Sequence, residues 1–289
     1  MAAYKTILVP VSDAHSGKPG LDAALALALR FDAHVTALHV RADPTLAVPL
    51  VGEGMSGAMV DEMMTIAEAE AAKRAAAARA MFDEAVSRQG VPPVSDPPQP
   101  GASTAWRDVT GHEEEEVAWR GRLSDLVVMG RPSPEDEPPS LMTLNAALME
   151  SGKPLLLVPP EPTATIGRRI AIAWNGSAEA GRAVSGALPL LAAAEAVVIL
   201  SVSEDERTTG APAGELAAYL SWHGIKADCH VLRVPGTHAA EELLHQAAVY
   251  RSDLLVMGAY THSRLRQMIL GGVTRHVLHH ARINCLLAH

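Results

Sequence analysis

Short apolar runs alternate with amphipathic, alanine-rich stretches along most of the chain. Runs such as ILVPV and LLVMG have the length and composition of buried strands, and the stretches between them place apolar residues at helical spacing. The pattern predicts strands at 5–13, 34–40, 124–130, 153–159, 168–177, 196–202, 229–234, 253–257 and 284–289, and helices at 20–31, 56–88, 178–193, 214–223, 238–250 and 270–280. Apolar strands alternating with helices are typical of an α/β fold, a doubly wound parallel sheet covered on both faces.

An internal repeat divides the chain into two halves. The heptapeptide SDLVVMG at 124–130 recurs as SDLLVMG at 252–258, and KTILVPVSD at 5–13 is matched by RRIAIAWNGS at 168–177. A Pro- and Thr-rich segment, VPPEPTATIG, joins the last strand of the first half to the first strand of the second. We therefore predict two α/β domains, at 1–160 and 168–289.

Composition argues against some classes of partner and indicates the cellular compartment. The 289 residues carry a formal net charge of −9, which argues against a nucleic-acid partner because a phosphate backbone requires a basic face. No segment approaches the about 18 uninterrupted apolar residues of a membrane span, so we expect a cytoplasmic protein without membrane contact. The two cysteines, Cys229 and Cys285, fit no metal-binding spacing, and Cys285 lies in an apolar run where a buried thiol is common.

The stretch MGAYTHSRLRQMILGGVTRHVL, which follows the late strand of the second half, carries candidate chemistry. Gly258 ends that strand at the carboxyl edge of the sheet, where its missing Cβ would let a ribose or phosphate approach. The backbone N–H groups at Gly271, Gly272 and Val273 would form an anion site at a helix N-terminus. In the segment between, His262, Arg264 and Arg266 could neutralise phosphate charge. The alternative is that the glycine pair only admits the chain into a helix.

These residues carry a resemblance to a known family. ILVPV near the start, DLLVMGAYTHSRL late in the chain and GGVTRHVL after it resemble the universal stress protein family in its tandem two-domain form. The resemblance implies Rossmann-like five-stranded parallel sheets of order 3-2-1-4-5. It also implies that the last strands of the two domains pair across an intrachain pseudo-dimer, so that KPLLLVP would lie beside NCLLAH; a homodimer is the other expected assembly.

One branch of the family binds ATP through a G-x-x-G-(nine residues)-G-[ST] motif. Gly258 and Gly271 match the first and third positions, whereas Thr261 and Gly272 depart from the second and fourth. Losing the hydroxyl at 272 removes a charge-assisted hydrogen bond of roughly 1.5–3 kcal/mol, which Thr274 could partly replace. The resemblance thus implies ATP, or ADP or AMP, with Mg as the cofactor of the second half.

Two further positions in the second half follow from the resemblance. Asn175 stands where the family usually has an adenosine-contacting Asp, and Val202 corresponds to a residue that flanks adenine. In the first half Ser12 takes the Asp position, and Ser133, Thr143 and Leu144 replace the later motif residues. We interpret the first half as degenerate, with a partnering or stabilising role.

For three other features we prefer a structural interpretation to a functional one. His276 and His280 share a helix face at a spacing able to bind a transition metal, but two ligands do not close a site, so we predict none. The four glutamates of GHEEEEVAW fit the start of a helix, where acidic side chains favour the helix dipole. The methionines of the Ala-rich stretch, at 55, 59, 63 and 64, are interpreted as core or dimer contacts.

The expected function is that of a binding protein. The chain contains no nucleophile elbow, P-loop or metalloprotease motif, and no catalytic residue is predicted. We expect a stress-response regulator or protective protein that binds an adenine nucleotide and protein partners. Two alternatives stay open: an interaction scaffold that binds no nucleotide, and a slow ATP hydrolase.

Overall fold

The computed structural model describes residues 3–12, 17–43, 57–94, 98–131, 140–161, 163–203, 213–233, 238–259 and 272–289. Within these residues the chain forms two compact units. The first unit spans Lys5–Ser151, and the second unit joins Met1–Tyr4 to Gly152–His289. Both are α/β units, as the alternating pattern of the sequence predicts.

The described part of the first unit contains a parallel sheet of spatial order β3-β2-β1-β4. Its strands are β1 (Thr6–Pro10), β2 (His34–Arg41), β3 (Ser103–Thr110) and β4 (Leu126–Gly130). Its helices are α1 (Gly17–Phe31), α2 (Gly57–Gln89), α3 (Glu113–Gly121) and α4 (Ser140–Glu150). The four glutamates lie in the first turn of α3, as predicted.

The described part of the second unit has the order β5-β10-β9-β6-β7-β8. Its strands are β5 (Leu155–Val158), β6 (Arg169–Ala173), β7 (Ala196–Ser203), β8 (Asp228–Arg233), β9 (Leu254–Gly258) and β10 (Asn284–Ala288). Its helices are α5 (Ala178–Ala192), α6 (Ala213–Trp222), α7 (Ala239–Val249) and α8 (Gly272–His280). From β8 to β10 the five parallel strands follow the order 3-2-1-4-5, which confirms the expected topology.

The strand β5 pairs antiparallel with β10, as the resemblance implied. Leu156 stands opposite Leu286, and Leu157 stands opposite Cys285. In sequence β5 closes the first half, yet this pairing places it in the second compact unit. All described residues of both strands are buried, so the contact excludes water along its length.

The expectation that every strand is apolar holds for the central strands and is wrong for two others. β1, β4 and β9 are buried almost throughout, whereas β8 buries one residue of six and β3 buries two of eight. β8 and β3 lie at the end of their sheets, where one side of a strand faces solvent and polar residues are tolerated. β3 was not predicted because its sequence, STAWRDVT, lacks an apolar run.

The repeated Ser-Asp-Leu has a structural cause. In the first unit the Asp125 carboxylate accepts hydrogen bonds from the backbone N–H of Lys5 (2.7 Å) and Thr6 (3.0 Å). In the second unit Asp253 accepts from the N–H of Arg168 and Arg169, both at 3.0 Å. Each aspartate therefore ties the start of the first strand of its half to the start of the fourth.

The long helix α2 corrects one prediction. Its buried residues all lie in its second half, beginning at Ala78, whereas Met59 and Met63 are 52% and 39% exposed. A core role for these methionines is therefore wrong, and a dimer contact stays a prediction; Met55 lies outside the described residues. The buried end of α2 packs on the sheet, with Phe82 5.2 Å from the Trp106 ring.

Two smaller expectations concern membranes and thiols. Among the described residues, no helix has both the length and the apolar character needed to cross a bilayer. Neither cysteine forms a disulfide; Cys285 is buried, as predicted, and Cys229 is exposed.

Candidate functional site

A cleft of about 220 Å³ opens at the carboxyl edge of the sheet in the second unit. It lies where β6, β7 and β9 end, between α7 and the N-terminus of α8. Its lining residues are Ala173, Trp174, Asn175, Leu200, Val202, Ala239, Leu243, Met257, Gly258, Gly272, Val273 and Thr274. Open parallel α/β sheets bind ligands at this edge, so the cleft is the candidate site.

The structure brings together six of the eight binding residues predicted from the sequence. They come from four separate segments and line this one cleft: Asn175, Val202, Gly258, Gly272, Val273 and Thr274. The other two, His262 and Gly271, lie outside the described residues, as do Thr261, Arg264 and Arg266.

Sequence reasoning missed the remaining wall of the cleft. Ala173, Leu200 and Met257 lie near the ends of buried strands, and Ala239 and Leu243 lie one turn apart on α7. Their apolar character is the same as that of core residues, so no sequence signal separates the two roles. Trp174 is the exception, because a large aromatic residue directly after a buried strand stands at the ligand-binding edge.

Gly258 is required by packing rather than by ligand approach. A Cβ at this position would lie 2.5 Å from the Ala180 nitrogen and 2.7 Å from the Glu179 carbonyl carbon. Both atoms belong to the first turn of α5, so the missing Cβ lets this helix cross the end of β9. The interpretation that the Cβ is absent to admit a ribose or phosphate is therefore corrected, although Gly258 does line the cleft.

Gly272 is in the opposite situation. It is exposed at the first residue of α8, and a Cβ there would meet nothing within 4 Å. No acidic residue lies in the first turn of α8, and Thr274 is buried within that turn. The first N–H groups of a helix lack partners within the helix, and together with the helix dipole they favour an anion. The open space at the Gly272 Cβ leaves room for the hydroxyl that the family motif carries.

Asn175 is held by the loop that leads into α5. Its side-chain Oδ1 accepts a hydrogen bond from the Ser177 N–H (3.1 Å), and the Ser177 side chain caps α5 by accepting from the Ala180 N–H (3.1 Å). The Asn175 Nδ2 has no partner among the described residues, which leaves a donor for a ligand at the cleft.

Trp174 contributes a second unused donor. Its backbone N–H bonds to the Leu200 carbonyl (2.8 Å), which continues the β6–β7 pairing past the end of β6. The indole Nε1 is buried and has no hydrogen-bond partner among the described residues.

One acidic residue, Glu179, lies beside the end of β9, with its Cβ 2.8 Å from the place that a Cβ on Gly258 would take. Glu179, in the first turn of α5, has a lowered pKa because its own backbone N–H donates to the carboxylate, with smaller help from Arg182 at 2.8 Å. It is therefore ionised at neutral pH. Glu179 is not among the residues that line the cleft.

The end of β1 in the first unit, which corresponds to the end of β6 at the cleft, has a different structure. Val11 repeats the backbone bond of Trp174, with its N–H 2.8 Å from the Leu38 carbonyl, but its side chain is fully buried. The next residue, Ser12, donates to the Glu113 carboxylate (2.5 Å), and Thr143 and Leu144 are buried. Ser12 is thus engaged by a carboxylate, and Thr143 and Leu144 lie in the core; that the first half is degenerate stays a prediction.

His276 and His280 do share one face of α8. Their rings stack with centroids 4.1 Å apart, and the His280 Nδ1 lies 2.9 Å from the His276 carbonyl. The described residues contain no group of three or more side chains able to hold a metal ion.

Comparison with known proteins identifies the family of the chain. The model of the universal stress protein family matches residues 3–118 and 167–289, which is well over half of the sequence and one match for each half. No significant match is found among curated proteins.

Solved structures of the same fold cover nearly the whole chain. A universal stress protein from Archaeoglobus fulgidus has a TM-score of 0.65 at 16% identity, covering 98% of this chain and 95% of its own. A putative universal stress protein from Pseudomonas aeruginosa UCBPP-PA14 has a TM-score of 0.59 at 15% identity, covering 99% of this chain and 93% of its own. With the family match in both halves, the repeat and the strand order, the chain belongs to the universal stress protein family.

Proposed function

We propose that the second unit binds an adenine nucleotide, as ATP, ADP or AMP with Mg²⁺, in the cleft at the carboxyl edge of its sheet. The observation that carries this proposal is the convergence of six residues, predicted from sequence alone, on one cleft. Occupancy of the cleft would change which protein partner binds, by favouring one conformation of the unit. The protein would thereby act as a stress-response regulator or protective protein.

The walls of the cleft suit a nucleoside. Leu200, Val202, Leu243 and Met257 supply apolar surface for a flat ring, and Asn175 supplies a polar group at the rim. The volume of about 220 Å³ is below the roughly 300–1,000 Å³ of pockets for drug-sized ligands. The cleft therefore fits part of a nucleotide, the base with its ribose, better than the whole.

The phosphates would extend to the N-terminus of α8. Gly272 and Val273 line the cleft there, and the first N–H groups of a helix, which lack partners within it, favour negative charge together with the helix dipole. We propose the magnesium complex because a bound cation offsets part of the charge of the phosphates.

Isothermal titration with Mg-ATP tests the proposal. Wild-type protein is expected to bind about one nucleotide per chain, and Gly272→Asp is expected to abolish binding because it sets a carboxylate where the phosphates would lie. Gly214→Asp is the matched control, since Gly214 is also exposed near a helix start in the same unit and its Cβ would meet nothing within 4 Å. Absence of heat and of a thermal shift at millimolar ATP would refute the proposal, and phosphate release in the same samples would reveal hydrolysis.

A nucleotide-independent scaffold is the second candidate, favoured by one observation. The first half of α2 exposes Met59, Met63 and Ile66 at helical spacing, with Ile66 58% exposed. Apolar side chains grouped in this way are typical of contact surfaces. A wild-type protein that binds no nucleotide would move this candidate to first place.

A further inference from the structure

The position of Trp174 differs between the two halves in a way that the repeat makes visible. Val11 and Trp174 donate the same backbone hydrogen bond, to Leu38 and Leu200 respectively, each at 2.8 Å. In the first unit the side chain at this place is a valine buried in the core. In the second unit it is an indole that lines the cleft.

The indole N–H of Trp174 is a buried donor that has no acceptor among the described residues. Leaving such a group unsatisfied opposes folding, and native proteins rarely retain one without a reason. The described side chains next to the indole are poor acceptors for its N–H. Asn175 already uses its Oδ1 to accept from Ser177, and the adjoining walls at Ala173, Leu200 and Met257 are hydrocarbon or thioether.

An acceptor carried by a ligand would satisfy this donor. The acceptor must come with a group that also fits between apolar walls, which excludes a bare phosphate or carboxylate because their charge would be desolvated there. A heteroaromatic ring meets both conditions, since its faces are apolar and its ring nitrogens accept hydrogen bonds in the plane of the ring.

We propose that the Trp174 indole N–H donates a hydrogen bond to a ring nitrogen of the bound adenine and so helps to select the base. This inference rests on the proposed nucleotide binding and adds the residue that reads the base. It also gives the two halves different roles, because the side chain of Val11, at the matching place in the first unit, has no hydrogen-bond donor.

The first arm of the test is titration with ATP and with its 1-deaza, 3-deaza and 7-deaza analogues, each of which replaces one ring nitrogen by C–H. One analogue is expected to bind wild type roughly 5–10-fold more weakly than ATP, as for loss of one hydrogen bond. Trp174→Phe should weaken ATP by a similar factor and should no longer distinguish that analogue from ATP. Trp222→Phe is the control, because Trp222 is 87% exposed.

The second arm is the indole ¹H–¹⁵N spectrum of the full-length wild-type protein, which has four tryptophans. Nucleotide should move the Trp174 signal downfield, and this arm needs no variant that might misfold. If the wild-type protein binds ATP without a shift of the Trp174 signal, and binds all three analogues as tightly as ATP, this inference is overturned and nucleotide binding stands. Wild type that binds no ATP would overturn both.

Discussion

Gly258 at the end of β9 lies against Ala180 in the first turn of α5, so closely that a Cβ on the glycine would stand 2.5 Å from the Ala180 nitrogen. The contact is with backbone, which cannot rotate away as a side chain can. The first unit has the same crossing, with a glycine on both the helix and the strand. A Cβ on Gly20 in α1 would lie 2.7 Å from the nitrogen of Gly130 at the end of β4. Helix and strand thus approach closely at the sheet edge of each unit.

Gly258→Ala is therefore expected to destabilise the second unit by about 1–3 kcal/mol, the usual cost of forcing a methyl group into packed surroundings. Chemical denaturation followed by circular dichroism measures this cost. Gly272→Ala is the control, because its Cβ has open space and should change stability by less than about 0.5 kcal/mol. Equal stability of the two variants would contradict the packing argument.

Gly272→Ser is expected to strengthen nucleotide binding. The substitution restores the hydroxyl of the family motif at a position with room for it, and one added hydrogen bond to a phosphate should lower the Kd for Mg-ATP roughly 5–10-fold. Titration of Gly272→Ala separates the effect of the hydroxyl from that of the Cβ. A serine variant that binds no better than the alanine variant would show that the phosphates lie elsewhere.

The repeated aspartates should differ in their energetic importance. Asp253 is 8% exposed and Asp125 is exposed, although each accepts two backbone hydrogen bonds. Replacing Asp253 by Ala leaves two part-buried backbone donors that water reaches less easily, and should cost about 2–4 kcal/mol, whereas water can reach the exposed donors left by Asp125→Ala and reduce its cost. Denaturation of both variants makes the comparison. Similar losses would mean that exposure does not decide the cost.

His34 should make the first unit less stable in mild acid. Burial lowers the pKa of this half-buried imidazole below its ordinary 6.5, and its Nδ1 lies 2.9 Å from the Ser103 hydroxyl. Because the unfolded chain then binds more protons than the folded one, stability is fully present above about pH 6.5 and falls as the pH drops below it. Urea denaturation between pH 5 and pH 8 should show this slope.

His34→Gln should flatten that slope, because glutamine can keep the bond to Ser103 without titrating. His112→Gln is the matched control in the same unit, since His112 has a 49% exposed side chain. If the slope of the His34→Gln variant equals that of wild type, the acid sensitivity arises from another group.

Sequence reasoning located most of the candidate site for a physical reason. Glycines at a strand end and a helix start, and the polar Asn175 after a buried strand, interrupt a regular pattern, and such interruptions are visible in one dimension. It misjudged the reason for Gly258, because the α5 backbone that fills the place of its Cβ lies about 80 residues away in sequence. It also missed β3, whose polar residues are tolerated only because the strand lies at the end of its sheet.

The sequence by itself determined most of the order of strands and helices, the twofold repeat and the family, because periodic burial and repeated residues are local properties of the chain. Only the tertiary structure decided that β5 pairs with β10 and that six predicted residues share one cleft. It alone revealed that the Trp174 indole has no acceptor in the part of the chain that the structure describes, while Val11 is buried in the core. These relationships depend on strand pairing and close packing between distant segments, which no local pattern encodes.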